Sequence, residues 1–173
     1  MHPAPCVVYP CRALNLKTMY TDLIIPIAKR AYESAKQRGK NPNCLNCYVA
    51  VRNELAEMWQ AIDNGRRAQY ADVAKAEGLQ DNDLFYAFYK TNLHNTELDE
   101  MADVVITCAT WLWCAKICAE DEGLTFNAQR NFDGALLRGP VSLVFDLLNG
   151  KEQIDTFRKI VNLKLRYNDL RKD

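Results

Sequence analysis

Apolar residues recur at spacings of three and four along most of this chain, the period of a helix that buries one face. From Thr18 to about Gly39, Leu23, Ile24, Ile27, Ala28, Ala31 and Ala35 share a face, and the glycine closes the stretch as a helix C-terminus prefers. Pro26 inside it predicts a kink. A second helix is expected from about Leu45 to Asp63, carried by Val49, Val51, Leu55, Met58, Trp59 and Ile62 and stopped by Asn64-Gly65. Residues 66–92 interrupt the long-helix pattern with two short helical pieces, "ADVAKAEG" and "DLFYAFYK", joined by the polar turn "LQDND", and read as an insertion. Thr96 with Asp99 predicts a capping arrangement that opens a third long helix running to about Ala119. Two more helices are expected over about Val141–Leu148 and Glu152–Leu170. No segment alternates with period two and β-branched enrichment. The pattern predicts an all-α helical bundle of about five to seven helices with no sheet. It forms one domain over residues 17–173 with the insertion at 66–92, after an irregular segment 1–16.

Composition refines this picture. A chain of 173 residues with 49% apolar content suits one domain with a real core. Lysine plus arginine and aspartate plus glutamate balance at 22 each, so no overall charge favours a nucleic-acid polymer or an anionic membrane as partner. The opening "MHPAPCVVYPCRALN" lacks a basic region followed by a long apolar run, so a cytoplasmic location is expected. Of the seven cysteines, Cys108, Cys114 and Cys118 fall in or beside the most apolar block and read as core packing. Cys44-x-x-Cys47 has no second pair and no histidine pair at zinc spacing in the sequence. Asp103 and Lys116 bracket twelve uncharged residues, short of the roughly 20 that a membrane span needs, so this block is expected to be a central core helix. Trp111 and Trp113 point about 200° apart around its axis, which predicts cover on opposing faces and, with few other helices to supply it, a homodimer or homotetramer.

The chemistry concentrates at the start of that helix. Glu97, Asp99, Glu100 and Asp103 place four acids in seven positions directly ahead of the apolar block. Glu100 and Asp103 lie one turn apart on one face. Glu54 and Glu57 repeat the spacing on the second helix, among Leu55, Met58 and Trp59. Either pair alone describes an ordinary solvated helix face. Together, at the edge of a desolvated core, unpaired carboxylates would cost several kcal/mol each. Oxygen-only donors on facing helices are what Mg²⁺ or Mn²⁺ takes, with water and phosphate oxygens completing the shell. Lys164 and Arg171, seven residues apart with Asn168 between them, put cationic and amide donors on one face of the last helix, where they suit phosphate oxygens. Trp59, two residues past Glu57, is the best-placed aromatic to stack on a base. His94 reads as an ordinary exposed histidine, and Asn127, Arg130 and Asn131 have no assigned place.

The stretches "NELAEMWQAIDNGR" and "ELDEMADVVI", which contain Glu54-Leu-Ala-Glu57 and Glu100-Met-Ala-Asp103, resemble the E-x-x-E and E-x-x-D signature of the MazG-like all-α nucleoside triphosphate pyrophosphohydrolases, a group that includes dimeric dUTPases and dCTP pyrophosphatases. "KLRYNDLR", with Lys164, Asn168 and Arg171, is similar to the closing pattern of that group, so the resemblance spans roughly residues 18–171. The interval between Glu57 and Glu100 is longer than in the compact members. The resemblance implies hydrolysis of a nucleoside triphosphate between the α and β phosphates, with Glu54, Glu57, Glu100 and Asp103 as metal ligands, Glu57 as the proton acceptor, and Lys164, Asn168 and Arg171 toward phosphate. Two other readings compete. A di-iron carboxylate bundle requires Glu-x-x-His motifs, and neither acid pair here contains a histidine. A non-catalytic helical regulatory or interaction protein that keeps the fold would be marked by loss of a ligand acid, and all four are present.

Overall fold

Among the described residues the predicted periodicity is followed by seven bounded α-helices: α1 (Ile25–Gln37), α2 (Cys44–Asp63), α3 (Tyr70–Gly78), α4 (Asn82–Asn92), α5 (Glu97–Asp121), α6 (Arg138–Leu147) and α7 (Gly150–Leu170). The computed structural model describes residues 20–128, 130–131, 137–148 and 150–171. The irregular segment expected over residues 1–16, together with Cys6 and Cys11, lies outside them. Among the described residues there is no strand, and the fold is an all-α bundle.

Proline and glycine chemistry sets the ends. Pro26 stands where the winding changes: Tyr20–Ile24 forms a π-helical turn that runs directly into α1, with Ile24 still at helical φ −74°, ψ −49°. Gly39, at φ +71°, ends α1 in the left-handed region. Its N–H reaches Lys36 O while Lys40 N–H reaches Ala35 O, at 3.0 and 3.1 Å, a Schellman closure that turns Lys40 toward the second helix. Gly65 repeats the motif after α2, its N–H reaching Ile62 O while Arg66 N–H reaches Ala61 O. Asn43 caps α2 by accepting from Asn46 N at 2.9 Å. The capping arrangement expected at Thr96 is absent: the Thr96 hydroxyl donates to Leu93 O, and the Asp99 carboxylate takes the N–H of Asn95 instead.

Helix α5 is the axis of the fold, with α1, α2, α6 and α7 packed against it. By length and composition it could cross a membrane, but 61% of its most apolar stretch is buried within the bundle. Leu98 through Ala102, Val104, Val105, Ile106 and the run Cys108–Leu112 are all buried, so one chain covers most of the helix. Trp111 is buried by its own chain, and Trp113 is half-buried beneath the Lys116 ammonium, which stands 4.5 Å from the ring centre. The large exposed apolar residues lie mainly on α2, where Leu45 is 70% and Val49 49% exposed, beside Tyr48 and Trp59. The exposed apolar face of this chain is therefore on α2 and not on α5, where the sequence placed it.

The two short helices of residues 66–92 form part of the core. Val73, Ala76, Phe85 and Tyr89 are buried. The Arg166 guanidinium on α7 donates to Leu79 O, Gln80 O and Asn82 Oδ1 at 2.6, 3.0 and 2.8 Å, so α7 ties down the turn that joins α3 to α4. This fixes Tyr89 beneath the start of α5.

Candidate active site

Contacts at two levels show that α2 and α5 run antiparallel: Glu54 meets Asp103 and Glu100, while Cys47 meets Cys114. The helical spacing expected of the acids brings three of the four together. One oxygen each from Glu54, Glu100 and Asp103 can be chosen so that all lie within 4.8 Å of one another. Glu57, one turn along α2, is exposed and lines the same cleft at its mouth. The cleft encloses about 520 Å³, within the range of small-molecule sites. Arg38, Lys40 and Arg171 put positive charge around it, and Lys164 and Asn168 line it from α7.

Beneath the trio lies a network that sequence reasoning missed. Asp99, 0% exposed, accepts from Tyr89 OH at 2.6 Å, from Lys164 Nζ at 2.8 Å and from Asn95 N at 2.9 Å, and pairs with His94 Nδ1 at 3.0 Å. Lys164, 1% exposed, also bonds Asp103 Oδ2 at 2.7 Å. Asn95 adopts φ +62°, a left-handed conformation that asparagine tolerates better than most residues, and in it the Asn95 N–H and the His94 ring both meet one carboxylate. His94 is therefore not an ordinary exposed histidine. It is half-buried, packs 5.2 Å from the Tyr167 ring and lines the cleft. The available signal was Asp99 itself, an acid beside Glu100 five residues ahead of the uncharged block that opens at Val104, placed where only a buried donor set would hold it.

Electrostatics divide the acids. Burial alone would raise Asp99, but the bond to His94 and the Lys164 charge prevail and hold it below the usual carboxylate range. Burial alone would lower Lys164, and Asp103 and Asp99 more than offset it, so the ammonium stays charged. Glu54 is pushed up to about 8, chiefly by burial and then by Asp103 and Glu57. Glu100 rises to about 7, by burial and then by Asp103 and Asp99. One lysine thus satisfies one side of the cluster, while burial and crowding drive Glu54 and Glu100 toward their protonated forms.

The cleft wall also holds unmatched acceptors. Glu100 Oε2 and Asn168 Oδ1 are buried without a hydrogen-bond partner, an arrangement that costs about 1–3 kcal/mol per group unless a donor or cation meets it. Carboxylate and amide oxygens with unfilled lone pairs form a hard donor set, which fits Mg²⁺ or Mn²⁺ and not a soft ion.

The other expected site residues are placed less uniformly. Arg171 lines the cleft with Asn168. Trp59 is 42% exposed and is not among the residues lining the cleft, because two residues beyond Glu57 it is turned about 200° around the helix. Asn127, Arg130 and Asn131 do not line the cleft either, and Asn127 Oδ1 accepts from Arg130 N within its own turn. No protein-family model matches the chain, and neither a curated protein nor a solved structure does, so the family resemblance rests on the two acid motifs and the closing Lys164–Asn168–Arg171 pattern.

Proposed function

We propose that this protein is a metal-dependent nucleoside triphosphate pyrophosphohydrolase of the MazG-like type, cleaving a ribo- or deoxynucleoside triphosphate between the α and β phosphates. The observation that carries this reading is the convergence of Glu54, Glu100 and Asp103, with Glu100 Oε2 and Asn168 Oδ1 buried and unmatched, in a cleft bordered by cationic side chains. A tetra-anionic substrate needs that border, and carboxylates that crowd together need a cation. Glu54, Glu100 and Asp103, with Glu57 at the mouth, would hold Mg²⁺ or Mn²⁺. When bound, the ion neutralises the triphosphate and lowers the pKa of a water molecule.

The chain's own groups supply the rest. Glu57 is exposed to the cleft and outside the tight trio, so its carboxylate is the one placed to take a proton from the attacking water. The water oxygen bonds the α phosphorus, the bridging bond to the β phosphate breaks, and pyrophosphate leaves with the electron pair. Lys164 contributes positive charge from below the acids, held there by Asp99 and Asp103, while Asn168 and Arg171 face the phosphates. Trp59 is the site residue least supported by its position, and base stacking on it would require a second chain. The exposed apolar face of α2, from Leu45 through Val49 to Trp59, supports a homodimer or homotetramer. A cytoplasmic location accords with a nucleotide substrate.

The test is direct: purified protein, Mg²⁺ and a panel of nucleoside triphosphates, with pyrophosphate assayed separately from orthophosphate. Pyrophosphate and monophosphate in equal amounts, abolished by EDTA and restored by Mg²⁺ or Mn²⁺, are expected. Undiminished turnover in chelator, or no turnover of any nucleotide, would sink the reading. Light scattering at micromolar concentration checks the assembly, and a mass that stays at 19.8 kDa with Mg²⁺ and nucleotide present refutes it.

A further inference from the structure

The C-x-x-C of α2 does have a second pair, which becomes visible only when the helices pack. Cys44 and Cys47 occupy the first turns of α2, and Cys114 and Cys118 lie one turn apart near the far end of α5. Because the helices are antiparallel, these two ends coincide. Cys47 Sγ and Cys114 Sγ stand 3.9 Å apart and are both buried, at 4% and 3% exposure. Cys44, half-buried, interacts with Cys118, which is exposed, and with the Trp111 indole. Cys118 therefore does not serve as core packing, contrary to the expectation from the apolar block. The four sulfurs lie two by two, one pair at the floor between the helices and one at the rim.

We propose that Cys44, Cys47, Cys114 and Cys118 form a thiolate site for a soft metal, with Zn²⁺ as the simplest occupant. Pairs at i,i+3 and i,i+4 on facing helices are how bundles build metal centres, and an all-sulfur donor set selects zinc or iron–sulfur over the hard ions that suit the acid cluster. The 3.9 Å between the floor thiols is a thiol–thiol contact, and that separation suits a shared metal better than a disulfide. Two thiolates on a tetrahedral zinc, each at about 2.3 Å, lie about 3.8 Å apart, which the floor pair already matches. A disulfide requires about 2.05 Å, so the same pair would have to close by nearly 2 Å between two close-packed helices. The acid trio is the group whose three ligand atoms already lie within 4.8 Å of one another, so the rim thiols must rotate inward to complete the sulfur site. Their exposure leaves room for that. Binding releases the thiol protons to solvent. The Trp111 indole N–H beside Cys44 supplies the outer-shell donor that thiolate sites use. Cys47 also lines the cleft that holds the acids, so a metal here would fix the wall of α2 opposite the acid end.

The site stands independently of the nucleotide reading, and its test uses no turnover. Metal-stripped, reduced protein is titrated with Co²⁺ and followed for a thiolate-to-cobalt charge-transfer band, which oxygen ligands do not produce. The expected result is a band that saturates at a single equivalent, is displaced by Zn²⁺, persists in Glu54→Gln, and is lost or weakened at least about tenfold in affinity in Cys44→Ser and Cys118→Ser. Cys118 is exposed, so its serine variant keeps the fold, which circular dichroism verifies. Metal analysis of the protein as purified distinguishes zinc from iron with labile sulfide on the same four thiolates. Absence of the band in the wild type, its persistence undiminished in both serine variants, or formation of a Cys47–Cys114 disulfide at an unchanged rate with Zn²⁺ present would each overturn the proposal.

Discussion

The two ends of the α2–α5 pair share one construction and differ in chemistry. At each end, side chains one turn apart on α2 lie opposite side chains one turn apart on α5: Glu54, with Glu57 at the cleft mouth, against Glu100 and Asp103, and Cys44 and Cys47 against Cys118 and Cys114. The acid end is charged, so the bundle had to build a counter-structure around it. Lys164 comes from α7, Tyr89 from α4, and His94 and Asn95 from the turn before α5, and all of them meet Asp99. The sulfur end is neutral while its thiols are protonated, and its buried floor pair, Cys47 and Cys114, simply meets thiol to thiol. A buried carboxylate demands partners at once, whereas a buried thiol is tolerated as a small apolar group until a metal arrives. Helix spacing creates the sites, and donor hardness sets what each must have around it.

The largest expected effect separates the ends by activity. Asp103→Asn should lower pyrophosphate release by about 10²–10³-fold, the usual cost of losing one charge-positioning group in a preorganised site, while Cys118→Ser should leave it within about twofold, as exposed positions do. Steady-state kinetics on both variants checks this, and equal losses would erase the division of roles. Next in size is stability at the charged end. Lys164→Met leaves Asp99 and Asp103 without their cation, a loss of about 3–5 kcal/mol for a broken buried pair. This should appear as a fall in Tm of roughly 6–20 °C for a chain of this length. An unchanged Tm would mean that the lysine is dispensable to the fold. Tyr89→Phe removes one of the four partners of Asp99 and should cost less, about 1.5–3 kcal/mol for a bond to a charged acceptor, measurable by urea unfolding.

The smallest effect is a slope. In EDTA, Glu54 has its folded value at about 8 and Glu100 at about 7, against an ordinary 4.5. The folded state therefore holds protons that the unfolded state has released. Linkage then makes stability fall as pH rises from about 4.5 toward 8, and the contribution is complete only below that window. Tm in chelator should drop by a few degrees between pH 5 and pH 8, Glu54→Gln should flatten the decline, and Mg²⁺ should reverse it by favouring the ionised carboxylates. Cys44→Ser should leave the slope intact. A rise in Tm with pH in chelator would refute the assignment of crowded, uncompensated acids.

The helices, their order and the two acid pairs were legible in the chain because each rests on local rules. Periodicity of 3.6 marks a face, Asn43 and Gly65 mark ends, and i,i+3 spacing puts two carboxylates on one side of one helix. The Thr96–Asp99 cap was misjudged because Asp99 accepts instead from Asn95, His94, Tyr89 and the distant Lys164, while the Thr96 hydroxyl turns back to Leu93 O.

What only the tertiary structure decided is which partners meet. Lys164 and Asp99 are 65 residues apart in sequence, and Cys47 and Cys114 are 67 apart. Whether each pair touches depends on how far α7 and α2 are rotated about their own axes and how they slide along α5. The sequence by itself determined that carboxylates and thiols would line one face at each end of two helices. The packing of α4 and α7 against those faces determined that Asp99 is satisfied, that Glu54 and Glu100 are driven toward their protonated forms, that Trp59 turns away from the cleft, and that two cysteine pairs become four neighbouring sulfurs. Periodicity records which side of a helix is buried, and it carries no information on which residue of another helix will be buried against it.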